Sequence, residues 1–224
     1  MISLIADDYR LIQVMSRFGI RMGIGDKTIM EVCEDSGVDC HTFLTVVNYV
    51  TEGFPTPEDF SSLSIRTLLH YLRQSHIYFL EYSLPSIRRK ILDGIKLRTS
   101  DVSFLILKFF DEYYTEVRTH MEAEETMLFS YINSLLEGHV KAEGVVATYS
   151  DQHENVSSKL KELKTIIIKF SPEDATANLL NDALYDIYRC EEELENHCSV
   201  EDNILMPVLS LLEKGEYNGD SEKR

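Results

Sequence analysis

Residues 116–124 read EVRTHMEAE, and residues 193–201 read ELENHCSVE. Each stretch has a central histidine, with one glutamate four residues before it and another four residues after it. Residues four apart lie on the same face of an α-helix, so each stretch predicts a helix with a Glu-His-Glu face. Equivalent positions in the two stretches are 77 residues apart, which indicates an internal repeat.

The same spacing relates two further histidines, because His153 follows His76 by 77 residues. Each lies in a helical pattern of its own, and the breaks between patterns fall midway between consecutive histidines. In two antiparallel helices, residues equally far from the connecting turn lie at the same position along the helix axes. All four histidines are therefore expected at one level along the bundle axis. Burying them with two carboxylates would be costly without a cation. We therefore predict a metal site formed by His76, His120, Glu124, His153, His197 and Glu201.

Helical patterns also organise the rest of the chain. Long patterns run at about 64–94, 100–137, 142–170 and 174–213. Pro207 is expected to kink or loosen the last of them near its end. Four long helices with short connections predict an all-α fold, an up-down-up-down four-helix bundle preceded by a small helical domain. A segment with glycine and two prolines marks the linker between the two. The predicted divisions are a small domain at 1–54, the bundle at 60–213 and an acidic, polar tail at 214–224.

The small domain carries two signals for the starts of helices. Thr28 is followed three residues later by Glu31, which is the spacing of a capping box. Asp39 is of a residue type that caps helices and precedes an apolar helical pattern. Helices are therefore expected to begin just after Thr28 and just after Asp39.

Composition and charge restrict the partners. The net charge is −16 at pH 7, and such a chain would repel the phosphates of a nucleic acid or an anionic membrane. No apolar run approaches the length of a membrane span, and the start MISLIADDYR does not resemble a signal peptide. These observations predict a cytoplasmic protein with reduced cysteines.

The ligand types indicate the metal. The predicted set contains no thiolate, so neither an iron–sulfur cluster nor a cysteine–zinc site is expected. Each repeat supplies two imidazoles and one carboxylate, as in non-haem iron sites that keep positions open for a small molecule. Six side chains suit two metals bridged by Glu124 and Glu201. Two iron ions are expected, with manganese and zinc as alternatives.

Three further residues are candidates for supporting roles. Glu116 and Glu193 each precede a predicted ligand histidine by one turn on the same face. They could accept a hydrogen bond from an imidazole or relay protons or iron, or they could simply be solvated. Tyr149 lies one turn before His153, where it could line the pocket or pack in the core.

At these residues the chain resembles the hemerythrin-like HHE cation-binding family, and within it the repair-of-iron-centres (RIC, or ScdA-type) proteins. Residues 25–39 are similar to the small amino-terminal domain of those proteins. The preceding Met22-Gly23-Ile24 lacks the adjacent cysteines that often stand there. The segments that carry the main resemblance are His76 before Leu84-Pro85, His120-Met-Glu-Ala-Glu124-Glu, His153 and His197-Cys-Ser-Val-Glu201.

The resemblance implies a di-iron stress protein that helps to restore iron–sulfur clusters damaged by nitric oxide or oxidants. It would donate iron or reduce nitric oxide, and its partners would be nitric oxide, oxygen and damaged iron–sulfur proteins. The alternative is a hemerythrin-like protein that binds or senses oxygen, nitric oxide or iron without turnover. The residues alone lead to a two-metal centre that reacts with small molecules. They leave open whether it is an enzyme and whether the chain forms a dimer.

Overall fold

The computed structural model describes the chain in five stretches, 1–53, 60–95, 101–140, 154–173 and 175–220. Every regular element in these stretches is a helix, and they contain no strand. The prediction of an all-α protein is therefore confirmed for the described residues, while the four-helix bundle topology stays a prediction. These stretches also contain no helix with the length and apolar character of a membrane-spanning segment.

The amino-terminal segment forms short helices with capped starts. They are α1 (Ile2–Asp7), α2 (Leu11–Arg17), α3 (Ile29–Ser36) and α4 (Cys40–Glu52). The predicted capping box is confirmed at α3. The Thr28 hydroxyl accepts from the Glu31 amide at 3.3 Å, and the Glu31 carboxylate accepts from the Thr28 amide at 2.7 Å. The predicted cap of α4 is confirmed as well, because Asp39 accepts from the Thr42 amide at 2.8 Å.

Long helices follow, and π-helical segments directly continue several of them. After a 3-10 turn (Phe60–Ser62), the elements are α5 (Ile65–Ile77), π1 (Tyr78–Ser83), α6 (Leu84–Ile95), α7 (Asp101–Ala123), π2 (Glu124–Phe129), α8 (Ser130–Leu136), α9 (Glu154–Phe170), α10 (Ala177–Val200), π3 (Glu201–Leu205) and α11 (Met206–Lys214). Residues 142–153 of the third predicted helix lie outside the described residues. Pro207 lies in the first turn of α11, directly after π3. The regular α-helix is thus interrupted by π3 directly before the turn that contains Pro207.

Residue contacts divide the chain into two compact units, and the first consists of residues 1–75, 128–150 and 197–224. Its core contains side chains from the amino-terminal helices and from α5, π2 and α11. Phe18 of α2 packs against Tyr71 of α5 with the ring centroids 4.7 Å apart, and both side chains are buried. The amino-terminal helices thus share a core with α5. The division into domains stays a prediction.

Residues of the predicted carboxyl-terminal tail contact the start of α5 within this first unit. The Tyr217 hydroxyl accepts a hydrogen bond from the Ile65 amide at 2.9 Å. The Asp220 carboxylate accepts from the Ser64 hydroxyl at 2.7 Å and from the Arg66 amide at 3.2 Å. Asp220 therefore caps α5, because the first amides of a helix have no acceptor within the helix.

The second unit consists of residues 76–127 and 151–196. Its apolar core draws on α6, α7, α9 and α10. The same unit contains a buried ion pair in which the Lys164 ammonium donates to the Glu191 carboxylate. The ammonium also lies 4.0 Å from the centroid of the Tyr188 ring. These contacts meet the condition for burying a charge, which is that it has a partner.

Candidate metal centre

The first predicted histidine–glutamate pair lies where α7 ends. His120 is in the last turn of α7, and Glu124 is the first residue of π2. Nε2 of His120 is 3.1 Å from Oε1 of Glu124, and Nε2 of His76 is 3.3 Å from Oε2 of the same carboxylate. Each oxygen of Glu124 therefore faces a different imidazole. Glu124 and His76 are both buried.

The second pair repeats this arrangement where α10 ends. His197 is in the last turn of α10, and Glu201 is the first residue of π3. Nε2 of His197 is 3.4 Å from Oε1 of Glu201, and both side chains are buried. The internal repeat is thus also present in the secondary structure, since the equivalent glutamates both begin a π-helical segment.

Four of the predicted ligands come together in one cluster. One ligand atom from each of them lies within 4.8 Å of the others, and all four side chains are buried. His120 is outside this group of four but contacts its Glu124, and the His120 side chain is 11% exposed. His153 lies outside the described residues. The residues of the cluster are His76, Glu124, His197 and Glu201.

The contact distances suit ligand atoms that share a cation. With metal–ligand bonds of about 2.1 Å and angles of about 90–109°, two ligand atoms lie roughly 3.0–3.4 Å apart. The three histidine–glutamate separations of 3.1, 3.3 and 3.4 Å fall in this range. Imidazole nitrogens and carboxylate oxygens are also donor types that first-row transition metals accept. The side chains therefore fit a metal.

The π-helical segments are a feature that the sequence pattern does not predict. They begin at Glu124, at Glu201 and at Tyr78, which is two residues after His76. A π turn takes one residue more than an α turn and is frequent at functional sites. A spacing of four residues between histidine and glutamate is equally compatible with an unbroken α-helix. The spacing alone could not reveal these segments.

Glu125 contacts the cluster but is not among the predicted site residues. Its Oε1 lies 3.0 Å from Nδ1 of His76, whereas Nε2 of the same ring faces Glu124. The sequence offered one signal, which is that Glu125 directly follows a predicted ligand and carries the same acidic group. This contact joins residues 49 positions apart, so helical periodicity could not predict it.

The predicted supporting residues have other partners. Glu116 is exposed and forms an ion pair with Lys159. Glu193 is mostly buried, and its Oε1 lies 3.8 Å from Nε of Arg189. Each carboxylate thus has a cationic neighbour, and a role for either beside a ligand imidazole stays a prediction. Tyr149 lies outside the described residues.

Comparison with known protein families identifies a cation-binding family. The family described as hemerythrin HHE cation binding domain matches residues 67–209, a range that includes every predicted ligand. A comparison with curated proteins yields no match. Because the family match covers more than half of the sequence, the chain belongs to the hemerythrin HHE cation-binding domain family.

Proposed function

We propose that this chain is a non-haem iron protein that binds two iron ions. The observation that carries the proposal is the buried cluster of His76, Glu124, His197 and Glu201, with ligand atoms within 4.8 Å of one another. Two carboxylates buried so close together repel each other, and a bound cation offsets both that repulsion and the cost of removing them from water. Membership of a cation-binding family supports the same conclusion.

The proposed centre uses two bridging carboxylates. The oxygens of Glu124 face His76 and His120 separately, which suits a carboxylate that binds one metal with each oxygen. The 77-residue repeat assigns the equivalent role to Glu201. In this proposal an up-down-up-down bundle at 60–213 carries the centre, and a small helical domain at 1–54 precedes it. The full ligand set is His76, His120, Glu124, His153, His197 and Glu201.

When bound, iron would supply redox chemistry and an electrophilic centre for a small molecule such as nitric oxide or oxygen. The side chains of the cluster hold the ligand atoms in place, and their burial keeps bulk water away from them. Four imidazoles and two carboxylates shared between two metals would leave coordination positions open. Manganese and zinc accept the same donor types and are tested beside iron.

We further propose that the protein acts in the cytoplasm in the repair of iron–sulfur clusters during nitrosative or oxidative stress. It would donate iron to damaged iron–sulfur proteins or react with nitric oxide. This step rests on the resemblance of the ligand segments and the amino-terminal segment to the repair-of-iron-centres proteins. The alternative role, sensing of oxygen, nitric oxide or iron without turnover, would use the same centre.

Anaerobic reconstitution tests the centre itself. The purified chain is loaded with Fe(II), Mn(II) or Zn(II) in separate samples, freed of excess metal and analysed for metal content. Optical spectra are recorded before and after oxygen or nitric oxide is added. Two iron ions per chain and a spectrum that responds to the gas are expected. A content near one metal per chain after full loading would contradict the bridged pair.

Turnover separates repair from sensing. With a chemical reductant, a repair protein should consume many equivalents of nitric oxide or restore the activity of an iron–sulfur enzyme damaged by nitric oxide. A sensor should bind a stoichiometric amount of the gas and change its spectrum, and it should then consume no more gas. Binding without turnover and without recovery of the damaged enzyme would favour the sensing role.

A further inference from the structure

The two ring nitrogens of His76 face carboxylates from adjacent residues. Nε2 lies 3.3 Å from Oε2 of Glu124, and Nδ1 lies 3.0 Å from Oε1 of Glu125. The His76 ring and Glu124 are buried, whereas the Glu125 side chain is 34% exposed. The ring is therefore held between an inner carboxylate of the cluster and an outer carboxylate that reaches the surface.

The position of one hydrogen decides which atom of His76 can bind a metal. A neutral imidazole has one N–H group, and only its other nitrogen has the lone pair that binds a metal. An ionised carboxylate only accepts hydrogen bonds, so Glu124 and Glu125 compete for the single N–H of the neutral ring. The shorter contact, 3.0 Å against 3.3 Å, favours Glu125. With the hydrogen on Nδ1, the lone pair of Nε2 points toward the cluster.

We propose that Glu125 is a positioning residue that selects the Nδ1–H tautomer of His76 and thereby makes Nε2 the ligand atom. The inference rests on the proposed function, because it assigns Nε2 to the metal. It also gives two adjacent glutamates different roles, since Glu124 binds the metal and Glu125 orients the histidine. Hydrogen bonds of this kind fix the tautomer of metal-binding histidines and raise their basicity.

Three variants of the full chain isolate the effect. Glu125→Gln keeps an oxygen that can accept from Nδ1, whereas Glu125→Leu removes the acceptor. Glu122→Leu removes the same charge from an exposed position three residues earlier and is the matched control. Circular dichroism and thermal unfolding establish that each variant folds like the unsubstituted chain.

Nitrogen-15 spectra of the metal-free protein measure the tautomer at a pH where the His76 ring is seen to be neutral. We expect the hydrogen on Nδ1 in the unsubstituted chain, in Glu125→Gln and in Glu122→Leu. In Glu125→Leu it should move to Nε2, because Glu124 is then the remaining acceptor. A hydrogen on Nε2 in the unsubstituted chain, or an unmoved hydrogen in Glu125→Leu, would overturn the inference.

Anaerobic competition with a chelator measures the affinity for Fe(II). Glu125→Leu should bind Fe(II) roughly 10–100-fold more weakly, Glu125→Gln should lose less, and Glu122→Leu should lose nothing. Unchanged affinity in Glu125→Leu would overturn the role of Glu125 in metal binding. If the unsubstituted chain binds no metal, the proposed function fails, and the tautomer spectra still decide whether Glu125 orients His76.

Discussion

Nε2 of His120 and Oε1 of Glu124 are 3.1 Å apart across one turn of helix, and the equivalent atoms of His197 and Glu201 are 3.4 Å apart. Both glutamates begin a π-helical segment, so the repeat preserves the ligand spacing together with the change of helix type. This correspondence supports two equivalent halves of one centre. It also makes the two histidines suitable for parallel substitution.

Replacing either histidine should reduce the iron content. His120→Ala and His197→Ala each remove one imidazole from the proposed set, and we expect each variant to bind clearly fewer than two iron ions. Metal analysis after anaerobic loading measures the change. His139→Ala is the control, because His139 is exposed and pairs with Glu137. Two iron ions bound with unchanged affinity in both ligand variants would show that these histidines are not ligands.

Glu124 should lower the stability of the metal-free protein. Its carboxylate is completely buried, and burying a charge costs free energy that a bound cation would offset. Glu201 belongs to the same buried cluster, so Glu124→Leu removes a repulsion between like charges and is expected to raise the Tm without metal. Added Fe(II) should raise the Tm of the unsubstituted chain and that of the variant much less. Equal shifts with Fe(II) in the two proteins would contradict a ligand role for Glu124.

Glu116 and Glu193 have different surroundings despite their equivalent positions in the repeat. The side chain of Glu116 is 53% exposed beside Lys159, and that of Glu193 is 13% exposed beside Arg189. Glu116→Leu should change the Fe(II) affinity little, since an exposed ion pair contributes at most about 1 kcal/mol. Glu193→Leu is expected to weaken Fe(II) binding by roughly 10–100-fold, the effect of losing a carboxylate that supports a ligand.

Chelator competition gives the affinities of both variants, and the rate of iron transfer to the chelator gives a second reading. Unchanged affinity with slower transfer in Glu193→Leu would assign this carboxylate to iron release instead. If neither quantity changes, Glu193 has no role at the centre.

Phe18→Ala should destabilise the protein without removing a ligand. Phe18 is buried against Tyr71 at 4.7 Å between ring centroids, and truncating a buried phenylalanine to alanine typically costs about 3–5 kcal/mol. Urea unfolding measures the loss, with Tyr9→Ala at an exposed aromatic residue as the control. A loss below about 1 kcal/mol would contradict the packing.

A fragment without residues 1–57 keeps every proposed ligand, so it should bind two iron ions but unfold more easily.

The features that the sequence predicted correctly are local. Helix formation follows a periodicity of a few residues, and the caps at Thr28 and Asp39 use side chains within three residues of their acceptors or donors. Four of the side chains that the repeat singled out also lie in one buried cluster, whereas the common level of all four histidines and the ligand roles stay predictions.

The features that the sequence could not predict depend on helix type and on contacts between distant residues. Whether a turn is α or π depends on the packing around it, and a spacing of four residues fits both. Glu125 reaches His76 from another helix, and Lys159 draws Glu116 into a surface ion pair. Apart from its position directly after Glu124, no local pattern distinguishes Glu125 from other acidic residues, because its partner is specified only by the tertiary structure.

Gly219→Ala should detach the carboxyl-terminal segment from the start of α5. A Cβ on Gly219 would lie 2.0 Å from the carbonyl oxygen of Leu63, and the backbone cannot relieve that overlap in the way a flexible side chain could. The segment would have to move away and give up the hydrogen bonds of Tyr217 and Asp220 to α5. Each lost hydrogen bond costs about 0.5–1.5 kcal/mol.

Asp220→Ala removes the cap and leaves the hydrogen bond from the Ile65 amide to Tyr217 in place, and the loss of a helix cap costs about 0.5–2 kcal/mol. Its effect should therefore be smaller than that of Gly219→Ala. The double variant should be no less stable than Gly219→Ala alone, because a detached segment no longer caps the helix. Urea unfolding of the three variants measures these differences, with Glu216→Ala at an exposed position as the control. Additive losses in the double variant would mean that Asp220 still caps α5 after Gly219 is replaced.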